Sequence, residues 1–134
     1  MKQDEKKQQE LMYKFAIFEQ QIQQIQEQIR AIDHAITESS MLSGGLEELK
    51  GTKDKEIFAS IGKGIFIRGK TTSDELLVDV GGRNFVDKTV DETKEMIGTQ
   101  IEKFESVKTQ LEENLEMISK EVESALKESD GLSS

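Results

Sequence analysis

LLVDVGGRNFVDKTVDETKEMI, residues 76–97, changes structural period once, at Thr89. Before that point β-branched and aromatic residues come in two short runs on either side of Gly81-Gly82. The spacing predicts strands near 75–80 and 83–88 joined by a tight turn. After it the apolar residues follow helical spacing. Thr89 stands where an N-cap should stand, and Glu92 three residues on completes a capping box, each side chain satisfying the other residue's backbone N–H. A hairpin therefore runs directly into a helix.

Upstream, EIFASIG and GIFIRGK repeat the strand pattern and predict strands near 56–61 and 64–70 with a turn at Gly62-Lys63. Within this pair GIFIRGKT, residues 64–71, satisfies the nucleotide-binding P-loop pattern G-x-x-x-x-G-K-[ST] letter for letter. That motif works only as a small-residue loop between a buried strand and a helix N-terminus, where backbone N–H groups cradle phosphate. Here Ile65, Phe66, Ile67 and Arg68 read as strand, and TSDELLVDVGG beyond reads as a turn and another strand. Nucleotide binding is not expected, and no cofactor is.

The flanks are helical. In the first segment Leu11, Phe15, Phe18, Ile22, Ile25, Ile29, Ile32 and Ile36 are spaced alternately by four and three, the heptad seam of a supercoiling helix. Ser39 and Ser43 take the next seam positions and Gly44-Gly45 follow, which predicts a kink or break near 43–45, each glycine costing roughly 1 kcal/mol against alanine in a helix. In the last segment the seam runs Ile97, Ile101, Phe104, Lys108, Leu111, Leu115, Ile118, Val122 and Ala125. Lys108 is its polar exception, a type that costs stability and fixes register. The tail ESDGLSS offers nothing to pack and is expected to fray.

The two seams mesh if the chain doubles back. Phe15 then faces Ala125, Phe18 faces Val122, Ile22 faces Ile118, Ile25 faces Leu115, Ile29 faces Leu111 and Ile36 faces Phe104. About 40 paired helical residues make an arm of roughly 60 Å. The expected organisation is a single domain: a first coiled-coil helix over 1–50, two hairpins over 51–88, a second helix over 89–128 and a frayed tail over 129–134. The class is α+β, a long antiparallel coiled-coil hairpin with two β-hairpins between its helices. Four short strands cannot form a core alone, yet they carry apolar groups on both faces. Oligomerisation solves this, with Ile57, Ile65, Phe66, Ile67, Leu76, Leu77, Val78, Val80 and Phe85 closing a common β-structure, the hub, from several subunits.

Composition narrows the function. Of 134 residues 34% are charged and 34% hydrophobic; proline and cysteine are absent, and His34 is the one histidine. Disulfides, thiolate sites and a histidine-built zinc centre are thereby excluded, and no bound metal is expected. The net charge of −9 is uneven: nine acidic and six basic residues in 1–50, six and seven in 51–88, twelve and five in 89–134. Such a chain repels nucleic acid and anionic membrane, so neither is an expected partner. No transmembrane run or signal peptide is read, and a soluble cytoplasmic protein is expected. Carboxylates such as Glu112, Glu113 and Glu116 lie on a solvated helical face, and no layer exists in which catalytic groups could converge, so the chain is not expected to be an enzyme.

Helix, two hairpins and a capped acidic helix together resemble the α-class subunit of prefoldin over essentially the whole chain. LLVDVGGRNFVDKTVDETKEMI carries most of the likeness, and two hairpins within 51–88 distinguish the α class from the single-hairpin β class. The chain lacks the proline that the family commonly carries before a glycine ahead of its first strand. The resemblance implies a hexamer of two α and four β subunits, six arms on a double β-barrel. It also implies ATP-independent holding of unfolded proteins and their transfer to a group II chaperonin. At the arm tips the seam thins, because Phe15 meets only Ala125 and Leu11 meets a residue near Ser129. Leu11, Met12, Phe15, Phe18, Val122 and Leu126 are the expected client-binding residues. The alternative is a purely structural coiled-coil oligomer, a spacer or tether whose hairpins are joints.

Overall fold

The computed structural model describes residues 2–133. Its order is α1 (Lys2–Leu46), a short 3-10 turn (Glu47–Leu49), β1 (Glu56–Gly62), β2 (Ile65–Lys70), β3 (Leu76–Asp79), β4 (Phe85–Lys88) and α2 (Val90–Ser133). The chain divides into two compact units, one of residues 1–36 with 103–134 and one of residues 37–102.

In the first unit the outer parts of α1 and α2 lie antiparallel. Every seam residue from Leu11 to Ile36, and from Phe104 to Ala125, is buried or half-buried, while nearly all residues between them are exposed. Leu11 and Ala125 are the most deeply buried of the set. Lys108 Nζ lies 2.6 Å from Asp33 Oδ1 across the pair. A slip of one heptad would carry Asp33 about 10 Å along the axis from Lys108, at ~1.5 Å per residue, so this ion pair fixes the expected register. The bond to Asp33 also raises the Lys108 pKa, against the small opposing effect of burial. The lone polar seam residue thus has a specific acidic partner, the role suggested by its position.

The tail differs from expectation. α2 continues through Gly131 to Ser133, five residues past the expected end at 128. The early turns of α1 give this stretch something to pack on: Ser129 is half-buried, and Glu128 and Gly131 border the same groove as Leu11 and Tyr13. Ser134 lies outside the described residues.

In the second unit the helix does not break at Ser43-Gly44-Gly45. Both glycines are helical, and α1 ends only after Leu46. Leu46 is the next seam residue and is buried against Val90 and Ile97, with Leu49, Leu76 and Ile101 packed around them. Burying one leucine gains about 1.5–3 kcal/mol, which offsets roughly 2 kcal/mol for the two glycines. Packing overrides propensity here. Charge closes the same end: Lys94 Nζ is 2.7 Å from Glu47 Oε2, and Lys50 Nζ is 2.9 Å from Glu47 Oε1 and 2.7 Å from Asp91 Oδ1.

The capping box forms as expected. The Thr89 N–H donates to Glu92 Oε1 at 3.2 Å, and the Glu92 N–H donates to Thr89 Oγ1 at 3.1 Å. These bonds hold the Glu92 carboxyl below the usual carboxylate range. Thr89→Ala should cost about 1 kcal/mol, read as a lower urea midpoint with an unchanged slope.

β1 and β2 pair antiparallel, as do β3 and β4, giving two separate two-stranded sheets and no closed barrel among the described residues. In the first, Phe58 pairs with Arg68, Ala59 with Ile67 and Ser60 with Phe66; Ile61 is then squeezed out as a bulge before Gly62 pairs with Ile65. In the second, Leu77 pairs with Asp87, Val78 with Val86 and Asp79 with Phe85. Its strands are shorter than expected because Gly81, Gly82 and Arg83 all take positive φ, so the turn uses more chain than two residues. Asp79 Oδ1 accepts from the Gly81 N–H at 2.9 Å and secures that turn. Where a proline was missing before β1, Gly51 and Asp54 make the bend at φ 70° and 66°. The Thr71 hydroxyl then ties the bend to β2 by donating to the Thr52 carbonyl.

Candidate functional site

Side-chain parity gives each hairpin two faces, since paired residues in an antiparallel ladder point the same way. On the β1–β2 hairpin one face carries Ile57, Ala59, Ile65 and Ile67 and is wholly aliphatic. The other carries Phe58, Phe66, Arg68, Glu56 and Lys70. Arg68 lies over the Phe58 ring, 5.5 Å from its centroid, with Glu56 Oε1 4.0 Å from its guanidinium. Both faces are open to solvent: Phe58 is 63% exposed and Ile67 58%.

The β3–β4 hairpin is different. Leu76 packs on the Leu46, Val90 and Ile97 cluster of its own chain, and Val78 is half-buried on the same face. Both had been assigned to the hub from sequence. Leu76 is occupied within its own subunit, which settles the orientation of the hairpin and sends Leu77 and Phe85 outward. Leu77 is 67% exposed and Phe85 56%, flanked by Asp79 and Asp87. Val80, at the end of β3, is also exposed.

The ends of the helix pair form a second surface. Leu11, one of the expected client-binding residues, is 7% exposed. Its neighbours on α2 are helical out to Ser133, which the frayed-tail expectation did not provide for. Phe15, Phe18 and Val122 are half-buried, whereas Met12 is 72% exposed and Leu126 is exposed as well. Tyr13, outside the expected set, is as open as Met12. A groove of about 620 Å³ lies beside them, lined by Lys7, Glu10, Leu11, Tyr13, Lys14, Glu128 and Gly131. The next groove along, about 540 Å³, includes Ile17, Phe18 and Ala125. Both are shallow and mixed in character, suited to apolar side chains of varied shape more than to one small molecule.

GIFIRGKT does not adopt the geometry of a P-loop. Gly64 is in the turn, Ile65–Lys70 is β2, and the chain passes from Thr71 to another strand, so no helix N-terminus follows the motif. Among the described residues, no helix is long and apolar enough to cross a membrane.

A family model described as prefoldin subunit matches residues 18–133, the greater part of α1, all of α2 and everything between them. The chain belongs to the prefoldin family. Curated relatives place it in the α class. It is 31% identical over 111 residues to prefoldin subunit alpha of Methanobrevibacter smithii, covering 82% of this chain and 76% of that protein. It is 33% identical over 103 residues to prefoldin subunit alpha of Methanococcus maripaludis, covering 65% and 69%. A probable prefoldin subunit 5 of Dictyostelium discoideum is 30% identical over 112 residues, covering 75% and 68%. The fold is shared with a chain from the cryo-EM structure of filamentous prefoldin from Methanocaldococcus jannaschii, at TM-score 0.78 and 19% identity, over 87% of this chain and 98% of that one. As a prefoldin, the chain is a chaperone subunit of a non-enzymatic family.

Proposed function

We propose that this prefoldin subunit holds unfolded polypeptides at the ends of its helix pair, without ATP, and passes them to a group II chaperonin. Its hairpins join it to single-hairpin β-class subunits in a hexamer of two α and four β chains, in the cytoplasm. The observation that carries the reading is where apolar surface remains open. Among the described residues, ten of the eighteen large exposed apolar side chains lie between Ile57 and Val86, on the hairpins, which supports reading those hairpins as joints. Of the other eight, Met12, Tyr13, Ile17 and Leu126 lie at the ends of the helix pair.

Met12, Tyr13 and Leu126 offer a first contact that needs no rearrangement, and methionine adapts to varied partners. Leu11, Phe15, Phe18 and Val122 add apolar area where a client pries the last turns apart. Each contact is weak, and several arms acting on one client raise the effective concentration to a useful avidity.

The test is Met12→Ser, Tyr13→Ser and Leu126→Ser together, in the assembled complex. All three side chains are exposed, so assembly mass and helicity should not change. Suppression of aggregation of a chemically unfolded client should fall several-fold, with transfer to a group II chaperonin falling in parallel. Undiminished suppression by an intact complex would remove the helix ends from the mechanism.

A further inference from the structure

The chain has no cysteine, so its reversible oxidation chemistry rests on five methionines, Met1, Met12, Met41, Met96 and Met117. Among the described residues their surroundings differ. Met12 and Met41 are each 72% exposed and Met117 is 62% exposed, whereas Met96 is half-buried. Attack on a thioether follows its exposure, so the first three should react well before Met96. Of these three only Met12 stands with Tyr13 and Leu126 among the open apolar side chains at the ends of the helix pair. Met117 borders a separate groove with Gln21, Gln24 and Ile25, and Met41 belongs to the unit of residues 37–102.

We propose that Met12 is a reversible oxidation site through which peroxide lowers the capture of unfolded clients by this subunit. This rests on the reading of the helix ends as the client-binding surface and adds how that surface is regulated. A lone pair on the Met12 sulfur attacks one oxygen of hydrogen peroxide and the O–O bond breaks. The hydroxide released takes the proton from the transferred oxygen and leaves as water. Sulfur is oxidised by two electrons and the peroxide is reduced. The product is a polar sulfoxide in place of a flexible apolar thioether. Because the Met12 side chain is open to solvent, the sulfoxide stays hydrated and the seam beneath it is undisturbed. The contact with a client is what changes. An apolar client residue pressed against Met12 must now strip water from an S=O group and offers no hydrogen bond in return. The thioether that adapts to varied apolar partners thus makes the same surface sensitive to oxidant.

The test treats the purified full-length chain with hydrogen peroxide, removes the peroxide with catalase and assembles the chain with untreated single-hairpin subunits. Neither client nor partner is then oxidised. Peptide mass mapping should find sulfoxide at Met12, Met41 and Met117 ahead of Met96, and native mass spectrometry should find the assembly unchanged. Suppression of aggregation of a chemically unfolded client should fall several-fold. It should return after reduction by the two stereospecific methionine sulfoxide reductases with dithiothreitol, the oxygen leaving as water and the dithiol becoming a disulfide. Two variants locate the effect, each compared with its own untreated form. Met41→Leu with Met117→Leu keeps Met12 and should lose as much as the parent chain. Met12→Leu keeps every other methionine and should lose little.

An equal loss in Met12→Leu would overturn the proposal, as would full suppression by a parent chain whose Met12 is completely oxidised. The triple serine variant separates this from the reading beneath it. If that variant suppresses aggregation like the parent, the helix ends are not the client surface and both fall. If it is impaired while oxidation of Met12 has no effect, only the switch falls.

Discussion

Ile65→Asp together with Ile67→Asp should abolish incorporation of this subunit into a multi-chain complex while leaving its helical content unchanged. Both residues lie on the aliphatic face of the β1–β2 hairpin, and both are more than half exposed in the single chain. The substitutions therefore disturb little that the isolated subunit already packs. In an assembly each isoleucine contributes about 1.5–3 kcal/mol of burial, and each aspartate would bring a charge that is costly to desolvate without a partner. The two losses together exceed what a joint made of short strands can absorb. Native mass spectrometry with single-hairpin partners should find the variant alone. Val107→Asp, at an exposed position on α2, is the control and should assemble normally. A hexamer that forms equally well with both aspartates would place the joint elsewhere.

The elements were legible in the sequence for particular reasons. The two seams were read without error because heptad spacing depends only on residue order, and the register followed once antiparallel partners were matched. Lys108 stood out as the polar seam residue, but its partner Asp33 did not. Asp33 lies one position off its own seam, and only the crossing of the two helices shows that its carboxylate reaches across. The capping box at Thr89 is local and was read whole.

What escaped the sequence was tertiary. Gly44-Gly45 argued for a break, and nothing nearby in the chain says that Leu46 will be buried by Val90 and Ile97 from beyond both hairpins. The tail past residue 128 looked unsupported because its support comes from the opposite end of the chain. Leu76 and Leu77 are adjacent and chemically identical, so no pattern tells which turns inward. The choice is made by the cluster waiting beneath Leu76. The open residues of the helix ends were legible in part: Met12 and Leu126 are exposed as expected, while Leu11 is buried because the helix opposite continues further than its composition suggested.

Ile97→Ala tests whether that cluster also governs the hairpin it supports. Ile97 is 4% exposed and packs with Leu46 and Val90, and its truncation should cost about 2–5 kcal/mol through lost burial and the cavity left behind. The described residues bury only five apolar side chains below a tenth of their exposed area, so one of them carries an unusual share of stability. Leu76 rests on the same cluster. Loosening it should release β3 as well, and amide exchange should accelerate at β3, β4 and the first turns of α2. It should change little along β1 and β2, whose bonds are made to each other. Free of Leu76, the β3–β4 hairpin would no longer be held with Leu77 and Phe85 outward, and joints that use that face should weaken although none of its residues has changed. If exchange instead rose uniformly through residues 37–102, the unit would be opening as a whole. The cluster would then be simply its core, with no separate part in orienting the joint.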